Sequence, residues 1–386
     1  NARRRCEGIA SSVKQLQRRS GVSGALLALL ICYELTERDT SETSDMDMNT
    51  VARLASRPVG LVTRENFDIS EQPRIEPGEG QFQVKVELIS IDPAMRGWTN
   101  EGRSYIPPVG IGEVMRALAG GTVVKSNHPG FSLGDTVTGL FGVQAYALSD
   151  GAGVAVVDTS KATLADWLSG LGMPGMTAYF GLTEIGQPKA GETVLVSAAS
   201  GAVGSIVGQL AKIMGCRTVG IAGGPEKCRY VVEELGFDGC IDYKNDTLAQ
   251  ALDAYCPDGV DVYFENVGGE IFDTVLTRMN HFGRIAVCGM ISIYNATEAP
   301  PGPKNLRAVL VNRLTMRGFI VFDFIDRYPE AIRALGDWHD EGRIKFRQDV
   351  RPGGIKAFPE VLNLLYSGAN QGKLNSASAD ISAASS

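Results

Sequence analysis

Histidine is scarce in this chain, and cysteine is missing from a long stretch of it. Of 386 residues, three are histidine: His128, His281 and His339. The seven cysteines stand at 6, 32, 216, 228, 240, 256 and 288, so none lies between 33 and 215 and none forms a C-x-x-C pair. The odd count and unpaired spacing argue against a disulfide framework and favour a reduced compartment such as the cytoplasm. Catalytic zinc needs three protein ligands, and structural zinc commonly needs four cysteines or histidines. His128, in the turn "NHPG", cannot supply such a set alone, so no metal is expected. Long apolar runs are also missing. Residues 22–33 are the apolar run near the start, and Gly24 interrupts them. A membrane helix requires about 20 apolar residues. No excess of positive charge exists either: the formal net charge is −7. That disfavours a general nucleic-acid or anionic-membrane surface but leaves room for a local basic site for one phosphate.

What is present is a globular composition, 44% hydrophobic and 21% charged, on a chain long enough for about two domains. Residues 1–20 carry Arg3, Arg4, Arg5, Lys14, Arg18 and Arg19 against one acid, Glu7. Two readings stand for this leader: an organelle-targeting or signal-like segment, or an unstructured extension. The acidic, Ser/Thr-rich stretch 37–50 reads as a linker. Residues 1–49 and the tail 375–386, "NSASADISAASS", are therefore set apart as disordered.

Between these ends the rhythm changes once. Short β-type runs, "FQVKVELISI" (82–91), "GGTVVKS" (120–126), "GDTVTGLF" (134–141) and "GVAVVD" (153–158), are punctuated by Gly, Pro and Asp, as in an antiparallel or barrel-like region. From position 191 strands and helices alternate. Strands are expected at 192–199, 217–222, 239–243, 260–269 and 284–289. Helices are expected at 201–215, 225–236, near 246–255 and near 270–280, with another at 329–341. The helix 201–215 places Val203, Ile206, Val207, Leu210, Ile213 and Met214 on one face. Such alternation predicts an α/β fold with a doubly wound parallel sheet.

The first strand–helix junction reads "SAASGAVGS" (197–205). A dinucleotide fingerprint asks for G-x-G-x-x-G. Gly201 and Gly204 fill its second and third places, where the backbone approaches a pyrophosphate and the helix packs on the strand. Ala199 stands in the first. Amides from about Ala202 through Val203 to Gly204, with the helix dipole behind them, would face the phosphates. An NAD site usually carries an acid at the end of the second strand, to bond the ribose 2′-hydroxyl. Here the chain reads "IAGGPEK" (221–227), with no acid at the strand end. The glycines leave room for a 2′-phosphate, and Lys227 can supply a countercharge. NADP is favoured over NAD, although Glu226 is an acid that could turn inward and Lys227 has a plain reading as a solvated helix lysine. With nicotinamide chemistry and no metal, hydride addition to an already polarised carbon, such as the β-carbon of an enone, suits this sequence.

The motifs "IDPAMRGW" (91–98), "GMPGMTAYFGL" (172–182), "AASGAVGSIVGQLAKIMGC" (198–216), "EKCRYVVEELGFD" (226–238), "YFENVGGEIFD" (263–273), "GRIAVCGMISIYN" (283–295), "RGFIVFDF" (317–324) and "GANQGK" (368–373) occur in one order. Across about 50–374 the chain resembles the zinc-independent medium-chain dehydrogenase/reductases of the leukotriene B4 12-hydroxydehydrogenase/prostaglandin reductase family. "DPAMRGW" and "NRLTMRGFIV" (312–321) look closest to its curcumin-reductase-like, alkenal/one-reductase branch. The resemblance implies a GroES-like β-barrel catalytic domain (50–172 and 325–374) and an NADP-binding Rossmann domain (173–324). It implies an NADP-dependent oxidoreductase acting on CH–CH groups, reducing the C=C bond of small α,β-unsaturated ketones or aldehydes, and a homodimer. It carries over Thr177 at the domain junction, Gly201, Ala202, Val203 and Gly204 at the pyrophosphate, and Lys227 and Tyr243 at the 2′-phosphate. Asn266, Cys288, Gly289, Ile291, Tyr294, Phe319, Ile320, Val321 and Asn370 surround the nicotinamide. Cys288 has a plain reading as a small buried hydrophobe.

Two departures from the family pattern remove phenols: Ala94 stands where many relatives have Tyr, and Val311 aligns with a second pocket Tyr. Tyr294 and Tyr105 are then the candidate proton donors. Tyr105 has an equal reading as a loop aromatic, and water is an equal source of the proton. Two alternatives stay open: an NADPH quinone oxidoreductase on the same scaffold, or a catalytically silent NADP-binding protein.

Overall fold

The computed structural model describes residues 48–378. Of the described residues, 50–70 with 75–378 form one compact unit, separate from 48–49 with 71–74; the larger is described here. The expected leader up to residue 47 and the expected tail from residue 379 lie outside the described residues.

Two strands, β1 (Met48–Leu54) and β2 (Phe67–Pro73), open the described chain. A seven-stranded sheet follows, built from β3 (Phe82–Ser90), β4 (Ala119–Ser126), β5 (Thr136–Gly139), β6 (Tyr146–Ser149) and β7 (Ala155–Val156). Two late strands complete it, β14 (Gln348–Arg351) and β15 (Lys373–Ala377). Its order is β14-β15-β3-β4-β5-β7, with β6 also on β3. The alternation that announced β3 is physical: Phe82, Val84 and Val86 are buried, and Lys85 and Glu87 face solvent. His128 sits in the expected turn, its ring packed against Phe82 and Phe131.

β15 corrects the reading of the tail. Asn375, Ser376 and Ala377 are buried and paired antiparallel with β3, and Asn375 and Ser376 also pair in parallel with β14. The small polar side chains of Asn375 and Ser376 carry no hydrophobic signal, because the register of the two neighbouring strands fixes them.

The second sheet is parallel and six-stranded: β8 (Thr193–Ser197), β9 (Arg217–Ala222), β10 (Gly239–Asp242), β11 (Val260–Glu265), β12 (Met279–Val287) and β13 (Thr315–Gly318). Its order, β10-β9-β8-β11-β12-β13, reverses direction between β8 and β11. Every residue of β8 is buried, as a strand covered on both faces requires. The helix Gly204–Ile213 begins three residues later than expected, because Gly201 to Val203 form the turn. It buries Ile206, Val207 and Leu210; Val203, Ile213 and Met214 pack at the margin of the same core. Sequence reading missed β13, since all four of its residues are exposed at the sheet edge and show no alternation.

Cys228, on the helix Pro225–Arg229, and Cys240, in β10, are joined as a disulfide with Cα atoms 5.2 Å apart. This corrects the reading of the cysteines: no short motif marks the pair, and the packing of helix on strand brings them together. Cys216, Cys256 and Cys288 are free. Among the described residues no helix is long and apolar enough to cross a membrane.

Candidate active site

Where the strand order reverses, β8 and β11 end side by side, and a cleft of ≈ 630 Å³ opens beyond their C-terminal turns. This is the position at which open α/β sheets take ligands. Every residue expected to bind the cofactor or donate a proton lines this one cleft. Gly201, Ala202, Val203 and Gly204 lie at the first turn, with Thr177 and Asn370 also on the wall. Lys227 and Tyr243 stand at one end; Asn266, Cys288, Gly289, Ile291, Tyr294, Phe319, Ile320, Val321 and Tyr105 line the rest. Ala94 also lines it, whereas Val311 is 46% exposed and is not among the lining residues.

The turn after β8 explains how a first-place alanine is tolerated. Its left-handed residue is Ala198 (φ 50°), one position before the expected place. Ala199 continues toward β9, its amide donating to Ile221 O at 3.0 Å. A Cβ on Gly220 of β9 would lie 2.7 Å from the Ala199 methyl. The glycine absent from the turn is thus present in the neighbouring strand, where it makes room for Ala199. Gly204 cannot be exchanged this way, since a Cβ there would stand 2.4 Å from Ala198 O. Among the described residues no protein acceptor takes the amides of Ala202, Val203 or Gly204. Three free donors at the start of a ten-residue helix fit a pyrophosphate.

At the far end, β9 stops at Ala222, and Gly223 and Gly224 lead into the next helix. Lys227 Nζ donates to Gly368 O at 2.8 Å. Burial, and then the charge of Lys244, lower its pKa. Glu226 does not turn inward: its carboxylate accepts from Gln371 Nε2 at 2.9 Å. The nearby acid Asp242 is occupied by the amides of Gly224 (2.7 Å) and Lys244 (3.1 Å) and by Asn245 Nδ2 (2.7 Å). This end therefore offers cations and glycine and no free carboxylate, which fits a 2′-phosphate.

The middle of the cleft is held by the turn after β11. Glu265, buried among core residues, accepts from Ser197 Oγ and from the amides of Val267 and Gly268. Burial raises its pKa. Asn266 is fixed at both its amide and its Nδ2 by Ser197, each at 2.8 Å. Burial pushes the Cys288 thiol up to about 12, so it stays protonated and makes a poor nucleophile.

Three phenols face the remaining space, and their hydrogen bonds differ. Tyr294 O accepts from the Met290 amide at 3.1 Å. Tyr105 O accepts from the Trp98 indole at 3.0 Å. Both keep their own proton for a ligand. Tyr366 instead donates to Pro93 O at 3.1 Å, and its proton is spent. Burial raises the pKa of Tyr294 and Tyr105 alike. A buried ammonium, Lys373 Nζ, satisfies Ile91 O (2.9 Å), Leu374 O (3.0 Å) and Asp92 Oδ1 (2.9 Å), and so ties the loop before Ala94 to β15. Sequence reading missed Lys244, Glu265, Tyr366 and the Asp92–Lys373 pair. Asp92 and Lys373 lie inside "IDPAMRGW" and "GANQGK", so the signal was on the page without a role attached. Among the described residues no group of three or more His, Cys, Asp or Glu stands together as a metal ligand set.

A parallel sheet with a nucleotide cradle at its switch point, beside a mainly antiparallel β domain, defines an oxidoreductase of the medium-chain type. Comparison with known proteins agrees. Residues 51–157 match the model for the N-terminal domain of oxidoreductases, and residues 202–337 match the model described as zinc-binding dehydrogenase. NADPH-dependent curcumin reductase of Escherichia coli (strain K12) is 46% identical over 326 residues, 83% of this chain and 94% of that protein. The NADP(+)-dependent 2-alkenal reductase of Nicotiana tabacum is 41% identical, over 78% and 88% of the two chains. Prostaglandin reductase 1 of Rattus norvegicus is 38% identical, over 81% and 94%. The crystal structure of CurA from Vibrio vulnificus in complex with NADPH superimposes with a TM-score of 0.81 at 42% identity, covering 85% of this chain and 98% of CurA. The chain belongs to the medium-chain dehydrogenase/reductase family that contains curcumin reductase, 2-alkenal reductase and prostaglandin reductase 1.

Proposed function

We propose that this protein is an NADPH-dependent reductase of the C=C bond of α,β-unsaturated ketones and aldehydes. NADPH, when bound, supplies the hydride that adds to the β-carbon. In this reading the amides of Ala202, Val203 and Gly204 bind the pyrophosphate, and Lys227 and Tyr243 flank the 2′-phosphate. Thr177, Asn266, Cys288, Gly289, Ile291, Phe319 to Val321 and Asn370 wall the nicotinamide. Tyr294 gives its proton to the carbonyl oxygen as negative charge develops there, the resulting enol tautomerises so that a proton ends on the α-carbon, and water returns a proton to the Tyr294 phenolate. Tyr105 is the second donor. Positioning supplies much of the rate, since no covalent intermediate is required.

The observation that carries this reading is the convergence of two proton-bearing phenols with the nucleotide cradle in a single cleft. The test is NADPH consumption across a panel of enones, enals and quinones. Faster turnover of enones and enals is expected. Faster turnover of quinones would move the reading to a quinone oxidoreductase, and tight NADPH binding without turnover would make it a silent binding protein.

The same reading includes a homodimer joined at the edge strand β13. Met316 there is 45% exposed, with Phe282 (64%) and Leu310 (78%) exposed nearby in sequence and sheet order. An unpaired edge is a template for a second copy. Sedimentation should give a dimer that Met316→Lys weakens; a monomeric parent protein would remove the dimer from the reading.

A further inference from the structure

We propose that Lys244 is a second cationic ligand of the cofactor's 2′-phosphate and a determinant of the preference for NADPH over NADH. The inference deepens the proposed function and rests on its placement of that phosphate beside Lys227.

Lys244 follows Tyr243 just beyond β10 and lines the same cleft as Lys227 and Tyr243. Its position is set by Asp242, whose carboxylate accepts the Lys244 amide at 3.1 Å and the Gly224 amide at 2.7 Å. One carboxylate thus anchors both loops that border the site. The side chains of Tyr243 and Lys244 lie over Gly223: a Cβ there would be 3.0 Å from Lys244 Cε and 3.0 Å from the Tyr243 hydroxyl. Among the described residues, Lys244 Nζ has no hydrogen-bond acceptor and no ion-pair partner. Of the neighbouring acids, Asp242 feels the Lys244 charge but spends its oxygens on the Gly224 and Lys244 amides and on Asn245, and Glu226 accepts from Gln371.

The plain reading of such a residue is a solvated surface lysine. Two features argue for a ligand. Lys227 uses only one of its three protons, on Gly368 O. The Lys244 charge also bears on it, helping burial to lower its pKa. Two cations are held around a glycine floor and, among the described residues, neither has an ion-pair partner, an arrangement whose mutual repulsion a dianion relieves. A phosphate carries ≈ −1.5 to −2 charges at neutral pH, enough for both. A ribose 2′-hydroxyl has no charge for either, so the pair discriminates between the cofactors.

The experiment is calorimetric titration of the full chain and of Lys244→Gln, Lys244→Arg and Lys227→Gln with NADPH, NADH, 2′-AMP and 5′-AMP. Lys244→Gln is expected to weaken NADPH and 2′-AMP by about 5–10-fold, an exposed charge-assisted contact being weaker than a buried one. NADH and 5′-AMP should change by less than about 2-fold, and Lys244→Arg should keep most of the NADPH affinity. Added salt should erode the NADPH advantage less in Lys244→Gln than in the parent. Equal losses for NADPH and NADH would overturn the proposal as a structural disturbance. No change in Lys244→Gln while Lys227→Gln loses NADPH would return Lys244 to solvent and leave Lys227 in its role. Loss of discrimination in neither variant would overturn both assignments.

Discussion

The two ends of the cleft are built by different means. At the nucleotide end the work falls to the backbone: three free amides, a left-handed turn at Ala198, and glycines whose absent Cβ atoms let chain approach chain. At the substrate end it falls to side chains, Tyr105, Tyr294 and Tyr366, held by an indole, an amide and a carbonyl from distant segments. A backbone site tolerates almost no added atom. A side-chain site tolerates substitution and can be retuned. Cofactor binding is therefore the rigid property of this fold and substrate choice the adjustable one.

The sharpest break of that contrast is Gly204→Val. With Ala198 O 2.4 Å from a Cβ at this position, affinity for NADPH and NADH should fall together by about 1,000-fold, measured by fluorescence titration. A small loss would show that the turn has slack. Next, Tyr294→Phe should lower kcat by about 100-fold, the scale of general-acid catalysis, with the NADPH affinity retained. Tyr105→Phe should cost less. Similar small effects of both would assign the proton to water. Burial raises the Tyr294 pKa, so the phenol is the protonated donor through neutral pH. The rate should stay level there and drop only as pH climbs through that raised value. Lys227→Ala should weaken NADPH by ~1.5–3 kcal/mol, the range for hydrogen bonds to charged groups, and leave NADH nearly untouched. Because burial and Lys244 lower the Lys227 pKa, the preference for NADPH should decline as pH rises toward it. Glu226 and Asp349, which oppose the shift, limit the decline. The smallest effect is Gly220→Ala, expected to destabilise by ~1–3 kcal/mol through overpacking on Ala199. Ala199→Gly in the same chain should restore part of it, since Val231 Cγ1 also stands 3.0 Å from the added methyl, read from urea midpoints. Independent, additive losses would deny the exchange of glycines between turn and strand.

The same contrast sets how much could be read from sequence. The parallel sheet was legible because buried strands and a periodic helix repeat over 192–289 within a short span, and the cradle because glycine spacing is a local constraint. The substrate end was legible only as a set of candidates. Whether a phenol keeps or spends its proton depends on a partner remote in sequence: Trp98 for Tyr105, Pro93 for Tyr366. The buried strand β15 was hidden for a related reason, since Asn375 and Ser376 are placed by their neighbours' register and not by their own hydrophobicity. The Cys228–Cys240 bond was hidden likewise by tertiary packing. Lys244 escaped notice because an exposed lysine carries no pattern of its own.

The central claim is that this cleft directs hydride to the β-carbon of an enone. The most direct measurement uses NADPH deuterated at nicotinamide C4, one simple enone and NMR analysis of the product. Deuterium on the β-carbon of a saturated ketone is the predicted result. Deuterium on the carbonyl carbon of an allylic alcohol would contradict it.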